Sequence, residues 1–257
     1  MRRRALLALA PALLWGCASP APRRVLAPTG VLRVGVYPGS PSSLVRDAQG
    51  RSLGLSVELG QDFAARLGVP YQQVEFPRLA LVLDALKAGE VDFTVTNATA
   101  VRARDMNFSP PIIALELGLL VPAGSPIRTV DEMDRAGQRI GVAQGSSSQA
   151  ALGGRLRNAA VIAAPTLQAA SQQLASGALH AFATNKAILF EMADGLPGAR
   201  VLEGRWGIEQ LAIAIPKERK EHMMEVERFA QEVVASGRVE QAARRAGLRG
   251  AIPVGQP

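Results

Sequence analysis

From Val31 onward the chain runs through one order of segments twice, and that repetition limits the fold classes open to it. Segments 32–36, 71–76 and 92–96 are short runs of strand-forming residues, and between them 57–67 and 79–88 carry apolar residues at helical spacing. Leu59, Phe63 and Leu67 recur every fourth residue and so share one helix face, which Gly68 and Pro70 then bring to an end. The same order returns at 139–142, 147–156, 161–163, 167–175 and 179–183. Strands alternating with helices predict an α/β fold, and two similar modules predict two lobes. Thr129 with Glu132 has the spacing of a capping box for a short helix. The continuous apolar runs 115–121 and 211–215 lie at the joins and read as two hinge strands. A ligand cleft is then expected between the lobes, at the carboxyl ends of the strands. Segment 217–237, with Val226, Phe229, Ala230 and Val233 on one face, reads as an amphipathic helix that closes against a core.

The start of the chain has a different character. Three arginines, an apolar run over 5–15 and Gly16-Cys17 form the charged, apolar and small-residue zones of an export leader, expected to be removed as residues 1–16. The run is too short for a membrane helix, which needs about 20 apolar residues. Cys17 is the sole cysteine of the chain, so no internal disulfide can form. Segment 17–30, with three prolines and two arginines, reads as a flexible tether. Five of the basic residues precede Val31 with no acid among them, so of the formal net charge of +7 only +2 belongs to the remainder. Basic runs of the kind that mark nucleic-acid binding are absent from that remainder.

Two stretches offer anion-binding groups. Segment 92–96 leads into Asn97, Ala98 and Thr99, with Arg102 near the start of a helical turn. Short polar side chains, backbone N–H groups and a planar guanidinium match a carboxylate's oxygen pair. The same spacing also suits a solvated surface arginine. Gln144-Gly145-Ser146-Ser147-Ser148 follows a strand and opens a helix, so its N–H groups and hydroxyls can converge on an anion. No lysine follows as in a P-loop, and a Gly-Ser run is equally the composition of a mobile loop.

Read together, the strand, Asn97-Ala98-Thr99, Arg102 and Phe108-Ser109-Pro110-Pro111 resemble the signature of the bacterial extracellular solute-binding proteins of family 3, the polar amino-acid-binding proteins of ABC importers. In that family the loop reads Thr-x-Thr-x-x-Arg and closes on Phe-Ser-x-Pro-Tyr; here Asn97 replaces the first Thr and Ile112 the Tyr. The resemblance implies a two-lobe type II periplasmic-binding fold, with lobe 1 at 31–116 and 214–250, lobe 2 at 117–213 and a tail at 251–257. It implies Arg102 as the clamp of a ligand carboxylate, with Thr99, Asn97, Ser146 and Ser147 as its helpers. Leu14-Trp15-Gly16-Cys17 resembles a bacterial lipobox, with Trp15 where a small residue is usual, so Cys17 is the expected lipid site. The expected protein is a monomer in the periplasm, anchored to the membrane by lipid and partnered with an ABC permease, without cofactor, metal or nucleic acid.

Departures from the family bear on the ligand. Asn185 stands where an Asp accepts hydrogen bonds from a ligand ammonium, and His180 replaces another Asp. Tyr37 stands where many members have Asp, and Ser40 and Leu79 where aromatics often sandwich the ligand. The pocket therefore reads as less acidic and less aromatic than usual. Either the ligand is a carboxylate that does not need a primary ammonium, or an ordinary amino acid uses Asn185 with a backbone carbonyl or Glu58. The resemblance also admits an enzyme of the cyclohexadienyl dehydratase type, or a ligand-sensing adaptor that reports to a membrane partner. Catalysis by His180 lacks an evident acid–base partner, and with two histidines in the chain, His180 and His222, no metal-ligand cluster stands out.

Overall fold

The computed structural model describes residues 22–254. The expected leader, Cys17 and the first part of the expected tether lie outside the described residues. From Pro22 on, the tether expectation fails. Pro22–Leu26 forms a short helix, α1, and Leu26 and Ala27 are buried in the core. Arg219 fixes the segment by donating from Nη1 to the Leu26 carbonyl at 3.0 Å. Two apolar side chains and one charged donor hold what prolines and arginines had suggested was loose.

The first module follows as β1 (Leu32–Val36), the short pair β2 (Val45–Arg46) and β3 (Ser52–Leu53), α2 (Leu55–Leu67), β4 (Tyr71–Glu75), α3 (Leu79–Lys87), β5 (Thr94–Asn97) and β6 (Met106–Phe108). β1 and β4 pair in parallel, Leu32 opposite Tyr71 through Val36 opposite Glu75. Helix α2 ends where Gly68 takes φ +67° and its N–H reaches back to Ala64 and Ala65, a left-handed cap open to glycine at little cost. Its apolar stripe, with Leu59 and Phe63, packs on β1 and on the helices that end the chain.

β7 (Ile113–Val121) then leads into the second module: β8 (Arg139–Ala143), α4 (Ser147–Arg155), β9 (Ala160–Ala164), α5 (Leu167–Ala175), β10 (Ala181–Asn185), α6 (Lys186–Asp194) and β11 (Arg200–Val201). Thr129 opens a 3-10 turn at Val130–Met133 but caps nothing with its side chain; Glu132 accepts from the Arg128 N–H instead, so the expected capping box does not form. β12 (Gly207–Pro216), α7 (Met223–Ala235), α8 (Arg238–Arg245) and β13 (Ala251–Ile252) complete the chain. The amphipathic helix expected over 217–237 is broken into a 3-10 turn at Lys217–His222 and α7, and α8 adds a further turn-separated helix. The expected tail is in part a strand, because β13 pairs with β7 at Leu115 and Ala114.

Two strands carry the chain between the lobes. The start of β7 pairs with β12, and its end pairs with β10 from Leu117 to Leu120. β12 crosses the other way, from β7 at Gly207–Leu211 to β5 at Leu211–Ala214. A sheet ordered β5-β12-β7-β10-β8-β9 therefore runs through both lobes. Separate cores lie on either side of this crossing, one around Phe63, Phe93 and Phe229, the others around Ile140 and Phe182. Among the described residues no helix is long and apolar enough to cross a membrane.

Candidate functional site

The cleft between the lobes is built from strand ends. β5 finishes at Asn97, and Thr99 Oγ1 accepts the Arg102 N–H at 3.2 Å, which starts the 3-10 turn Arg102–Arg104. That turn sends the Arg102 side chain back along β5, where it is 9% exposed. Its Nη1 donates to Thr96 Oγ1 at 3.0 Å and to the Asn97 carbonyl at 3.1 Å. Every one of these acceptors is neutral, and among the described residues Arg102 makes no ion pair. Burial pulls its guanidinium below the usual arginine range, while Glu209 and Tyr37 act to raise it.

The opposite wall is the turn from β8 into α4. Gly145 takes φ +75°, and a Cβ there would stand 2.8 Å from the Cβ of Ala80 on α3, so the two lobes meet at a residue that must be small. The Gly145 carbonyl lies 3.4 Å from Arg102 Nη2. Ser146 caps α4 by accepting the Gln149 N–H at 3.1 Å. Ser147 Oγ accepts from Asn97 Nδ2 at 3.0 Å, a direct bond between the walls.

A cavity between these walls is lined by Tyr37, Leu79, Asn97, Arg102, Ser146, Ser147 and Asn185 among others. The space enclosed, open solvent at its mouth included, is about 640 Å³. Seven of the eight expected ligand residues thus converge, while Thr99 stays outside the lining and serves the turn that aims Arg102. Tyr37 is partly buried, and desolvation pushes its phenol up to about 12, so it remains a neutral hydroxyl.

One assignment is corrected by the hydrogen bonds. Asn185 does not hold an acceptor toward the cavity: its Oδ1 caps α6 by accepting the Ile188 N–H at 3.0 Å. Its Nδ2 donates to Glu209 Oε1 at 2.6 Å, and Ser147 Oγ lies 3.4 Å from Glu209 Oε2. Glu209, 7% exposed on β12, lines the same cavity. The site is therefore not stripped of acid, as the loss of Asp at 185 had suggested; its carboxylate comes from the hinge strand. Burial raises the Glu209 pKa above the ordinary glutamate value, against the lowering effects of Asn185, Arg102 and Ser147. Sequence reading passed over Glu209, yet a signal was there, because it stands two and four residues before the buried Leu211 and Ile213, on the same face of a strand.

Glu58 and His180 fall outside the cavity. Glu58 is bound by Arg245 on the outer face of α2. His180 accepts the Arg139 N–H through Nδ1 at 3.2 Å and borders a separate groove with Ser125 and Ile127. Among the described residues no group of three or more His, Cys, Asp or Glu could hold a metal ion.

Residues 32–247 match the family model described as bacterial extracellular solute-binding proteins, family 3. The ABC transporter glutamine-binding protein GlnH of Bacillus subtilis is 22% identical over 77% of this chain and 74% of its own. The histidine-binding periplasmic protein of Escherichia coli K12 is 27% identical over 46% of this chain, and the match spans 45% of that relative, less than half its length. Among solved structures, an ArgBP variant from T. maritima superposes with a TM-score of 0.77 at 20% identity, over 88% of this chain and 99% of that one, a likeness of fold.

Proposed function

The chain belongs to the bacterial extracellular solute-binding proteins of family 3, and on that footing we propose that it is the binding component of an ABC importer for a small carboxylate-bearing solute of the amino-acid type. The observation that carries this reading is Arg102. A guanidinium buried at the mouth of two lobes, held by neutral acceptors alone, is a charge kept in place for an anion that arrives from outside. The first turn of α4 faces it from the other lobe, and its free backbone N–H groups can complete the carboxylate's hydrogen bonds.

On this reading the lobes comprise residues 31–116 with 214–250, to which α1 and β13 add, and 117–213, and the ligand acts by bridging them. It biases an equilibrium between open and closed forms, of which a permease in the inner membrane recognises the closed one. Lipid attached at Cys17 keeps the protein at the membrane in the periplasm. Cys17→Ala should then move the exported protein from the membrane fraction to the soluble one; retention at the membrane defeats the lipid assignment.

The binding reading is tested by thermal unfolding of the purified full chain against the common L-amino acids, their 2-hydroxy analogues and small dicarboxylates. A ligand at 100 times its Kd adds about 2.7 kcal/mol. At about 2–4 °C per kcal/mol that is a rise of several degrees. A rise in wild type that disappears in Arg102→Ala supports the site, and an unchanged rise in that variant refutes it. Steady consumption of an added acid, followed by chromatography, replaces binding with catalysis.

A further inference from the structure

Arg78 also lines the cavity, and nothing in the family reading uses it. It is the residue that precedes the first turn of α3, and that turn contains no acidic residue. A cation at a helix N-terminus faces the positive end of the helix dipole, so its position is unfavourable unless an anion joins it. Arg78 has no such partner among the described residues, and its Nε is buried without a hydrogen bond. A buried N–H left unsatisfied is costly, and native structures rarely carry one without a reason.

The charged groups lining the cavity are then three: the guanidinium groups of Arg102 and Arg78, and the carboxylate of Glu209. Glu209 is held by two neutral donors, Asn185 Nδ2 and Ser147 Oγ, and its second oxygen has only the longer of these contacts, at 3.4 Å. It can take an additional strong donor. Two cations and one anion are complementary to a solute with two anions and one cation.

We propose that the solute is an α-amino dicarboxylic acid, its α-carboxylate on Arg102, its ammonium on Glu209 and its side-chain carboxylate on Arg78. This rests on the binding reading above and narrows it. The ammonium site is thereby moved from Asn185, which has no carboxylate to offer, to the strand that joins the lobes. Occupation of the cleft is then read directly by a hinge residue.

Isothermal titration calorimetry on the purified full chain, with L-aspartate, L-glutamate, L-asparagine, L-glutamine, succinate and glutarate, tests the assignment. One of the two acidic amino acids is expected to bind about 10- to 100-fold more tightly than its own amide and than its own deaminated dicarboxylate, the usual worth of one charge-assisted hydrogen-bonded pair. Arg78→Gln should reduce binding of the acid by about tenfold or more and leave the amide unchanged, so that the preference collapses. Glu209→Gln should close the gap between the amino acid and the dicarboxylate. Equal binding of acid and amide by wild type, equal weakening of both by Arg78→Gln, or an unaltered gap in Glu209→Gln each overturn the proposal. If none of the six binds while another amino acid does, the charge assignment is wrong and the binding reading stands. If no solute of the wider panel binds either, both fall.

Discussion

The molecule contains two charge clusters of opposite character. In one, Asp92 is 1% exposed and receives Arg33 from three donors, its backbone N–H at 2.8 Å, Nε at 2.9 Å and Nη2 at 2.7 Å. Arg219 Nη1 lies 2.7 Å from the same carboxylate, and Arg33 Nη2 also donates to the Gly89 carbonyl at 2.6 Å. Carboxylate and guanidinium groups saturate one another there and tie β1 to the start of the C-terminal helices. In the other, Arg102 has neutral acceptors and Glu209 neutral donors. Internal pairing therefore distinguishes a charge that holds the fold from one held ready for a solute, although Arg219 and Arg102 are buried to a similar degree.

The comparison can be broken at either end. The largest effect is expected at Asp92. Asp92→Asn leaves the buried positive charge of Arg219 without compensation and takes the partly buried Arg33 from its carboxylate, a loss of about 3–5 kcal/mol in stability by urea unfolding. The affinity of the molecules that remain folded should not change. Arg102→Ala should do the reverse, costing about 1.5–3 kcal/mol of binding by calorimetry while stability moves by less than the Asp92 change does. If Arg102→Ala unfolds the protein as readily as Asp92→Asn, both clusters are structural and the distinction fails.

Gly145→Ala comes next. An alanine at φ +75° costs about 1–2 kcal/mol and its methyl meets Ala80 only where the lobes approach. Affinity should therefore fall together with the fraction of closed molecules seen by small-angle scattering. The smallest effect concerns Glu209 and has the opposite sign. Because the folded pKa is raised, the native state binds more protons than the unfolded one between the two values. Stability then falls as pH rises through that interval and the penalty is complete above the folded pKa. Glu209→Gln should consequently melt above wild type at neutral and alkaline pH in the absence of solute, and the difference should vanish as pH falls below the ordinary glutamate value. A difference independent of pH would show that the carboxylate is not desolvated in the way its surroundings indicate.

The order of segments was legible because periodicity is local: apolar spacing and Gly-Pro stops mark α2, and the apolar runs mark β7 and β12. Most of the expected site residues also meet at the cavity, because each follows a strand and strand ends converge in this kind of sheet. Other features depended on partners distant in sequence. Asn185 looked like an acceptor until α6 supplied the Ile188 N–H to cap, and Glu209 became its partner only where β7, paired with both, brings β12 and the end of β10 near each other. Leu26 and Ala27 gave no periodic signal, since two residues are too few to form one, yet the core of lobe 1 closes over them.

That last contact fixes a length. Cys17 precedes Pro22 by five residues, and five residues can span at most about 18 Å when fully extended. A lipid at Cys17 would thus keep α1 and the side of lobe 1 beneath it within that leash of the bilayer. The protein would work as a moored receptor whose cleft is presented over a restricted range of angles, so that delivery depends on rotation at the mooring more than on diffusion through the periplasm.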